Sequence, residues 1–318
     1  MARQTASGTS IAVVYPRRPR KGRARLCHAS WQGERIDWSA YLFLLPFFLP
    51  FLIFTVAAIG FGTYVSFTEW GVIGEPQWVG LDNFQRALQD SFVPKVWANT
   101  LKYGLIVVPA TTLVALAFAL FVNQRWWGAT IARTVFYAPN VVAVTVIGLV
   151  WVWLLDTRFG LINQYLGYLG IPNVPWLTNP SWVLLGIGLA SIWWDAGFSM
   201  VIFLAGLQDI PKELREAAQI DGASRFQVLR HIVLPLLRPA LSLVVTLLIV
   251  GTLRVFSQIY IMTNGGPANA SASVITYIYQ VGFRKYELGY AAALSLMLFV
   301  TILVVTAVEM RLLRVQRW

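Results

Sequence analysis

Residues 209–239 read DIPKELREAAQIDGASRFQVLRHIVLPLLRP, a polar, charged island between two long apolar runs. Pro211 suits a first helical turn, where its missing N–H has no partner to lose, and Glu213 suits the positive end of a helix. Leu214, Ala217, Ala218 and Asp221 then recur at helical spacing, giving one narrow face of small apolar residues that ends on Asp221. Asp221-Gly222 ends this helix, since glycine tolerates the backbone angles of a turn or C-terminal cap. Phe226, Leu229 and Val233 mark a second helix running to Leu234-Pro235. A helix of about ten residues is marginal alone in water, because nucleation costs more than so few hydrogen bonds return. Its alanines let a docking partner approach closely, and the flanking apolar runs carry any push on the loop into a bilayer.

Composition agrees with a bilayer. Of 318 residues 57% are apolar and 12% charged, against about a quarter charged in soluble domains, so the chain is a multispanning membrane protein. Six apolar runs are long enough to cross about 30 Å of hydrocarbon: 41–67, 100–121, 134–155, 182–207, 236–260 and 287–310. Pro46 and Pro50 predict a kinked entry to the first, and Pro139-Asn140 lies near the start of the third. Residues 1–39 form a basic tail whose Trp31 and Trp38 suit a short interfacial segment, 68–98 a polar loop with a short helix, and 156–180 and 261–286 further loops. Residues 311–318 are a short basic end. The membrane-spanning body therefore runs from 40 to 310, with its polar elbow at 208–235.

Charge sets the orientation. Only Arg86, Lys95, Arg158, Arg284 and Lys285 fall in the loops after the first, third and fifth spans, and Lys102 and Arg254 lie within spans. The other 18 of the 25 basic residues sit in the tail, the loop after the second span, the elbow and the C-terminus, which places both ends in the cytoplasm. The net charge of +11 is therefore a membrane-topology signal favouring anionic lipid and not a nucleic-acid footprint. The first apolar run is too long for a cleaved signal sequence. One cysteine, Cys27, and two histidines, His28 and His231, leave neither a disulfide framework nor a metal site. No phosphate-cradling G-x-x-x-x-G-K-[ST] run and no catalytic constellation is present.

The elbow's spacing is Glu216-Ala217-Ala218, three residues, Gly222, nine residues, Ile232, one residue, Leu234-Pro235. This pattern resembles the EAA loop of bacterial ABC-importer permeases. The stretches AGLQDIPKELREAAQIDGA, RVFSQIYIMTNGGP and WVGLDNF resemble the carbohydrate-uptake branch, with its maltose, trehalose and glycerol-phosphate importers, and the likeness spans roughly 40–310. The resemblance implies an all-α, six-span type I importer fold in the cell membrane, with Glu216, Ala217, Ala218, Asp221, Gly222, Ile232, Leu234 and Pro235 coupling it to a separate ATPase. It implies a second homologous permease, two ATPase subunits that use ATP-Mg, an extracytoplasmic substrate-binding protein and a sugar or sugar-like solute. By that resemblance the chain binds no cofactor and is not itself an enzyme. The rival readings are an ion-coupled secondary carrier, for which no internal repeat is evident, and a membrane enzyme, for which no catalytic groups are present.

Asp195 lies roughly 20 Å along the fourth span by helical rise. A carboxylate there is costly unless it meets a watery cavity or a partner. It either hydrogen-bonds solute hydroxyls or is tied to backbone donors at a helix break beside Ala196-Gly197. Trp193, Trp194 and Phe198 either stack on a sugar ring or pack against lipid and core. Arg254, with Phe256, Gln258 and Tyr260 at the outer end of the fifth span, either snorkels to the interface or lines an outer vestibule.

Overall fold

A computed structural model describes residues 38–71, 73–124 and 126–312. The basic tail with Trp31, Cys27 and His28, together with Arg125, Arg314 and Arg317, lies outside the described residues. The chain divides into two compact units, 1–53 and 54–318. The described part of the first is α1 (Trp38–Phe51) and the start of a π-helical turn, Leu52–Ala57. Pro46 and Pro50 lie inside α1.

Among its described residues the regular structure of the second unit is helical apart from a two-residue antiparallel pair, β1 (Thr68–Glu69) with β2 (Gln77–Trp78). Its helices run in order α2 (Ala58–Ser66), α3 (Asp82–Gln89), α4 (Phe92–Val122), α5 (Ala129–Val141), α6 (Val144–Leu154), α7 (Leu161–Tyr168) and α8 (Val183–Asp209). They continue with α9 (Lys212–Ile220), α10 (Arg225–Val228), α11 (Leu234–Leu236), α12 (Arg238–Leu253), α13 (Ser257–Met262), α14 (Val274–Tyr279) and α15 (Leu288–Leu312). Among the described residues four helical stretches are long and apolar enough to cross a membrane: Phe43–Ser66, Phe92–Val122, Val183–Asp209 and Leu288–Leu312. Two bent pairs, α5 with α6 at 98° and the Arg225–Leu236 stretch with α12 at 66°, bring the number to six if each pair is one span. Large side chains such as Leu105, Leu113, Leu149 and Leu303 stand exposed on these helices, as expected of surfaces solvated by hydrocarbon instead of water.

The spans differ from the sequence reading in three places. The second begins eight residues earlier, at Phe92. The third is not one rod: α5 stops two residues past Pro139, and Val142 and Ala143 are extended before α6 starts. Proline removes one helical hydrogen bond, and the β-branched run that follows is stiff in a helix, so a break costs little there. The fifth ends at Leu253, with Arg254 as its cap, and α13 restarts three residues on. The carbonyl that this break frees at Val255 accepts the Ser273 hydroxyl at 2.8 Å.

The segment after α13 is more than the external loop that its glycines predict. Ser271, Ala272, Ser273 and Val274 are all at most 1% exposed. The Asn99 amide of α4 donates to the carbonyls of Asn269 (3.0 Å) and Ala272 (3.1 Å), and Thr100 Oγ1 accepts the Val274 N–H at 3.1 Å. Nearby, the Asp90 carboxylate accepts from the Tyr277 and Tyr290 hydroxyls and from the Phe92 N–H. Partial burial alone would raise the Asp90 carboxyl, but these three hydrogen bonds and the charge of Lys285 outweigh it and hold the group below its ordinary value. Arg86 pairs with Glu287 at 2.6 Å and lies 4.2 Å from the centre of the Tyr290 ring. A core of Val93, Val96, Ala272, Val281 and Leu294 underlies this end.

At the other end Val122, Phe203, Leu207, Ile210, Val228, Val233 and Leu237 form the largest core. It joins α4, α8 and α12 beneath the polar elbow. Packing between α4 and α8 is the most extensive helix pairing of the molecule, and α5 lies against α8 as well. Gly197 makes the second approach possible: a Cβ there would stand 2.1 Å from the Phe136 carbonyl oxygen. Helix α8 runs unbroken through it. The glycine is thus a packing device, and the alternative that ties Asp195 to a helix break is corrected.

Candidate functional site

The elbow folds as its residues dictate. Pro211 caps α9 from outside and Glu213 occupies its first turn. At the far end the N–H of Gly222 bonds the Gln219 carbonyl at 3.1 Å and that of Ala223 bonds Ala218 at 2.9 Å. This is the paired pattern of a Schellman cap, with Gly222 in the left-handed region at φ +82°. No atom lies within 4 Å of a Cβ placed on Gly222, so the glycine is required by its backbone angles and not by crowding. Ser224 then opens α10 with a reciprocal capping box to Gln227, and a π-helical turn, Leu229–Val233, leads to α11.

The motif residues divide by exposure. Glu216, Ala217, Asp221, Gly222 and Leu234 are exposed, while Ala218, Ile232 and Pro235 are half-buried. Ala218 and Ile232 pack on the core beneath. Leu214, Ile220 and Phe226 stand out from the same elbow as large exposed apolar side chains, Ile220 at 86%.

A cavity of about 380 Å³ lies between α8 and α12 and is closed by the broken segment 254–258. Asp195, Trp194, Phe198 and Arg254 all line it. Two other candidates do not. Trp193 points away, half-exposed, with its ring 6.0 Å from that of Trp151. Tyr260 belongs to an aromatic cluster, stacked 5.1 Å from Phe256 and edge-to-face with Tyr279 at 5.4 Å. Sequence reasoning missed Tyr103, Ser199 and Thr252, which also line the cavity. Tyr103 is fully within the bundle and donates to Ser191 at 2.7 Å, bracing α4 on α8 one turn from Asp195. A lone tyrosine in an apolar run carries no signal that separates lining from packing, so only the tertiary pairing of α4 with α8 reveals it.

Chemically the cavity offers one carboxylate, one guanidinium, hydroxyls from Tyr103, Ser199, Thr252 and Ser257, the Gln258 amide and the aromatic rings of Tyr103, Trp194, Phe198 and Phe256. The indole Nε1 of Trp194 is buried without a partner. Among the described residues the one ion pair is Arg86 with Glu287, so Asp195 and Arg254 share the cavity without neutralising each other. Such a set binds polar groups through hydrogen bonds and stacks apolar faces; it holds no nucleophile with an adjacent base. No cluster of three or more metal-ligating side chains occurs among the described residues.

Residues 108–314 match the family profile described as binding-protein-dependent transport system inner membrane component. The chain belongs to that family. It is accordingly a permease component of an ABC transporter and not an enzyme in its own right. The permease is 33% identical over 284 residues to the trehalose/maltose transport system permease protein MalF of Thermococcus litoralis, covering 87% of this chain and 94% of that one. It is 32% identical over 275 residues to the arabinooligosaccharides transport system permease protein AraP of Bacillus subtilis, covering 86% and 87%. Among solved structures it resembles a bacterial ABC transporter involved in the import of the acidic polysaccharide alginate, with TM-score 0.77 and 26% identity, covering 87% of this chain and 96% of that one. These likenesses establish the type I importer fold anticipated from the elbow and a multispanning place in a membrane.

Proposed function

We propose that this permease imports a sugar or sugar-like solute across the cytoplasmic membrane, with both ends and the elbow in the cytoplasm. A binding protein delivers the solute from outside, a second homologous permease completes the pathway, and two ATPase subunits using ATP-Mg dock on the elbow. The supporting observation is connectivity. The elbow joins α8 to α12, and those two helices supply most of the cavity wall: Trp194 to Ile202 from one, Val244 to Thr252 from the other. A force applied at Glu216–Gly222 therefore reaches both walls at once, and their relative tilt changes the width between them. Asp195 accepts solute hydroxyls, Trp194 and Phe198 stack on a ring face, and Arg254 with Gln258 donates from the opposite side. A single cation beside a carboxylate suits a neutral polyhydroxylated solute better than a phosphate ester, which would call for more cations. The names of the relatives, sugar transporters among them, favour the same class.

The test is uptake by the chain reconstituted with its co-purified associates, using the labelled solute that its cognate binding protein retains. Uptake is expected to require ATP and to persist when ion gradients are collapsed by ionophores. ATP-independent uptake that collapses with the gradient would establish an ion-coupled carrier instead.

A further inference from the structure

Helix α8 ends in a defect written into the sequence. In an α-helix the Leu207 carbonyl accepts the N–H of the fourth residue on, and that residue is Pro211, which has none. The vacancy is filled from α9: the Arg215 guanidinium donates to the Leu207 carbonyl at 2.7 Å. Positive charge at the carboxyl end of a helix also meets the negative end of its dipole. Arg215 and Ala218, one turn apart, are the only residues of α9 that are not exposed. The Nε of Arg215 is buried with no partner, so the side chain is lodged in the fold and gives up hydration to make this one contact. The same device recurs at the other inner turn of the sequence-based topology, where Arg133 of α5 donates to the orphaned Val122 carbonyl at the end of α4 at 3.1 Å.

We infer that Arg215 is a positioning residue for transport: it clamps α9 to the end of α8, so that displacement of α9 by the ATPase moves α8. This rests on the proposed docking of an ATPase at the elbow. Without the clamp, α9 hangs between the Pro211 bend and the Gly222 turn with little more than Ala218 against the core, and its motion dissipates in those two hinges. Glu216, Ala217 and Ile220 face outward, so loss of the clamp leaves the docking surface in place.

The experiment uses the full chain co-expressed with its associates, with Cys27→Ser removing the one native cysteine and Leu247→Cys, at a position that lines the cavity, reporting on it. The probe is the labelling rate of that position by a membrane-impermeant maleimide, with and without ATP plus vanadate. With Arg215 intact the rate is expected to change about fivefold or more between the two states, the range of ordinary site-to-site coupling. Arg215→Gln is expected to shrink the change below about twofold while the ATPase subunits still co-purify and still release phosphate from ATP. Arg215→Met keeps the aliphatic stem without a donor and serves if the glutamine variant does not insert. Arg215→Lys restores a charged donor and is expected to restore the response. A full response in a donorless variant with ATPases bound, or no restoration by lysine, overturns the clamp alone. Absence of any ATPase from the wild-type preparation overturns the docking reading with it.

Discussion

The two ends of this bundle are held together in opposite ways. Around Asp90 the chain is knotted: Tyr277 and Tyr290 converge on one carboxylate, Arg86 meets Glu287, and the Asn99 amide bridges two carbonyls of a segment 170 residues away in sequence. The elbow at 209–237 has almost no such long-range polar bonding. Its hydrogen bonds are local caps, with Arg215 to Leu207 reaching furthest, and its outer surface presents Leu214, Ile220 and Phe226 unpacked. Long-range polar bonds make one arrangement much better than its neighbours, whereas local caps keep a short helix intact while leaving its placement adjustable. One end is built to keep its shape; the other is left adjustable, which suits the docking proposed for it.

The strongest way to break this contrast is at Gly222. Gly222→Val forces a β-branched residue into the left-handed region, destabilising the turn by about 1–2 kcal/mol or more. That is small for the whole bundle but large for a helix of nine residues. Transport is expected to fall to background while membrane insertion and melting temperature stay near wild type; wild-type uptake in this variant would remove the elbow from the mechanism. The reverse profile is expected at the knotted end. Asn99→Ala leaves the buried Ala272 carbonyl unsatisfied and removes the bond to the carbonyl of the exposed Asn269, at a cost of about 1–3 kcal/mol. Thermal unfolding in detergent should drop by roughly 5–10 °C, with residual uptake per folded molecule preserved. An unchanged melting temperature would show that water replaces the amide freely.

These ends were not equally legible in the sequence, and the reason is the same contrast. The elbow is governed by local rules: Pro211 and Glu213 start α9, and Gly222 stops it where the sequence places the break. The knotted end depends on partners far apart in the chain. Nothing between Arg254 and Gln258 is a helix breaker, yet the helix stops there because Ser273 is available to take the Val255 carbonyl. The glycine-rich run at 263–267 reads as a surface turn, and its continuation is buried because Asn99 and Thr100 satisfy its backbone. The cavity falls between these cases. A lone mid-span carboxylate identifies Asp195 without help, whereas the rotation that turns Trp194 inward and Trp193 outward, and the inclusion of Tyr103, come only from packing.

A milder perturbation sharpens the comparison through pH. Because the Asp90 carboxyl is held below its ordinary value, its contribution to stability is present above the unfolded value of about 3.9 and is lost as pH falls through the lower folded value. Asp90→Asn removes an acceptor shared by two tyrosines and is expected to cost about 1 kcal/mol at neutral pH. Wild type and variant should converge in melting temperature below about pH 4, since protonation imposes on wild type the loss that the amide makes permanent. A gap that stays constant down to pH 3 would mean that the carboxylate charge is not what the tyrosines read.

The smallest effect on the fold belongs to Ile220, and it separates gripping from folding most cleanly. The side chain is 86% exposed and contributes nothing to the core beneath it, so Ile220→Ser should change stability by less than about 0.5 kcal/mol. On the proposed docking an ATPase surface covers this side chain. Covering it is worth about tenfold in affinity for a residue near the rim of a docked helix, or about 1.4 kcal/mol. Retention of ATPase subunits through a salt wash should therefore fall in Ile220→Ser, and further when Phe226→Ser is added, with both melting temperatures unmoved. Equal retention in all three chains would mean that the covering partner sits elsewhere on the elbow, on Leu214 and Glu216, and would narrow the grip to the first turns of α9.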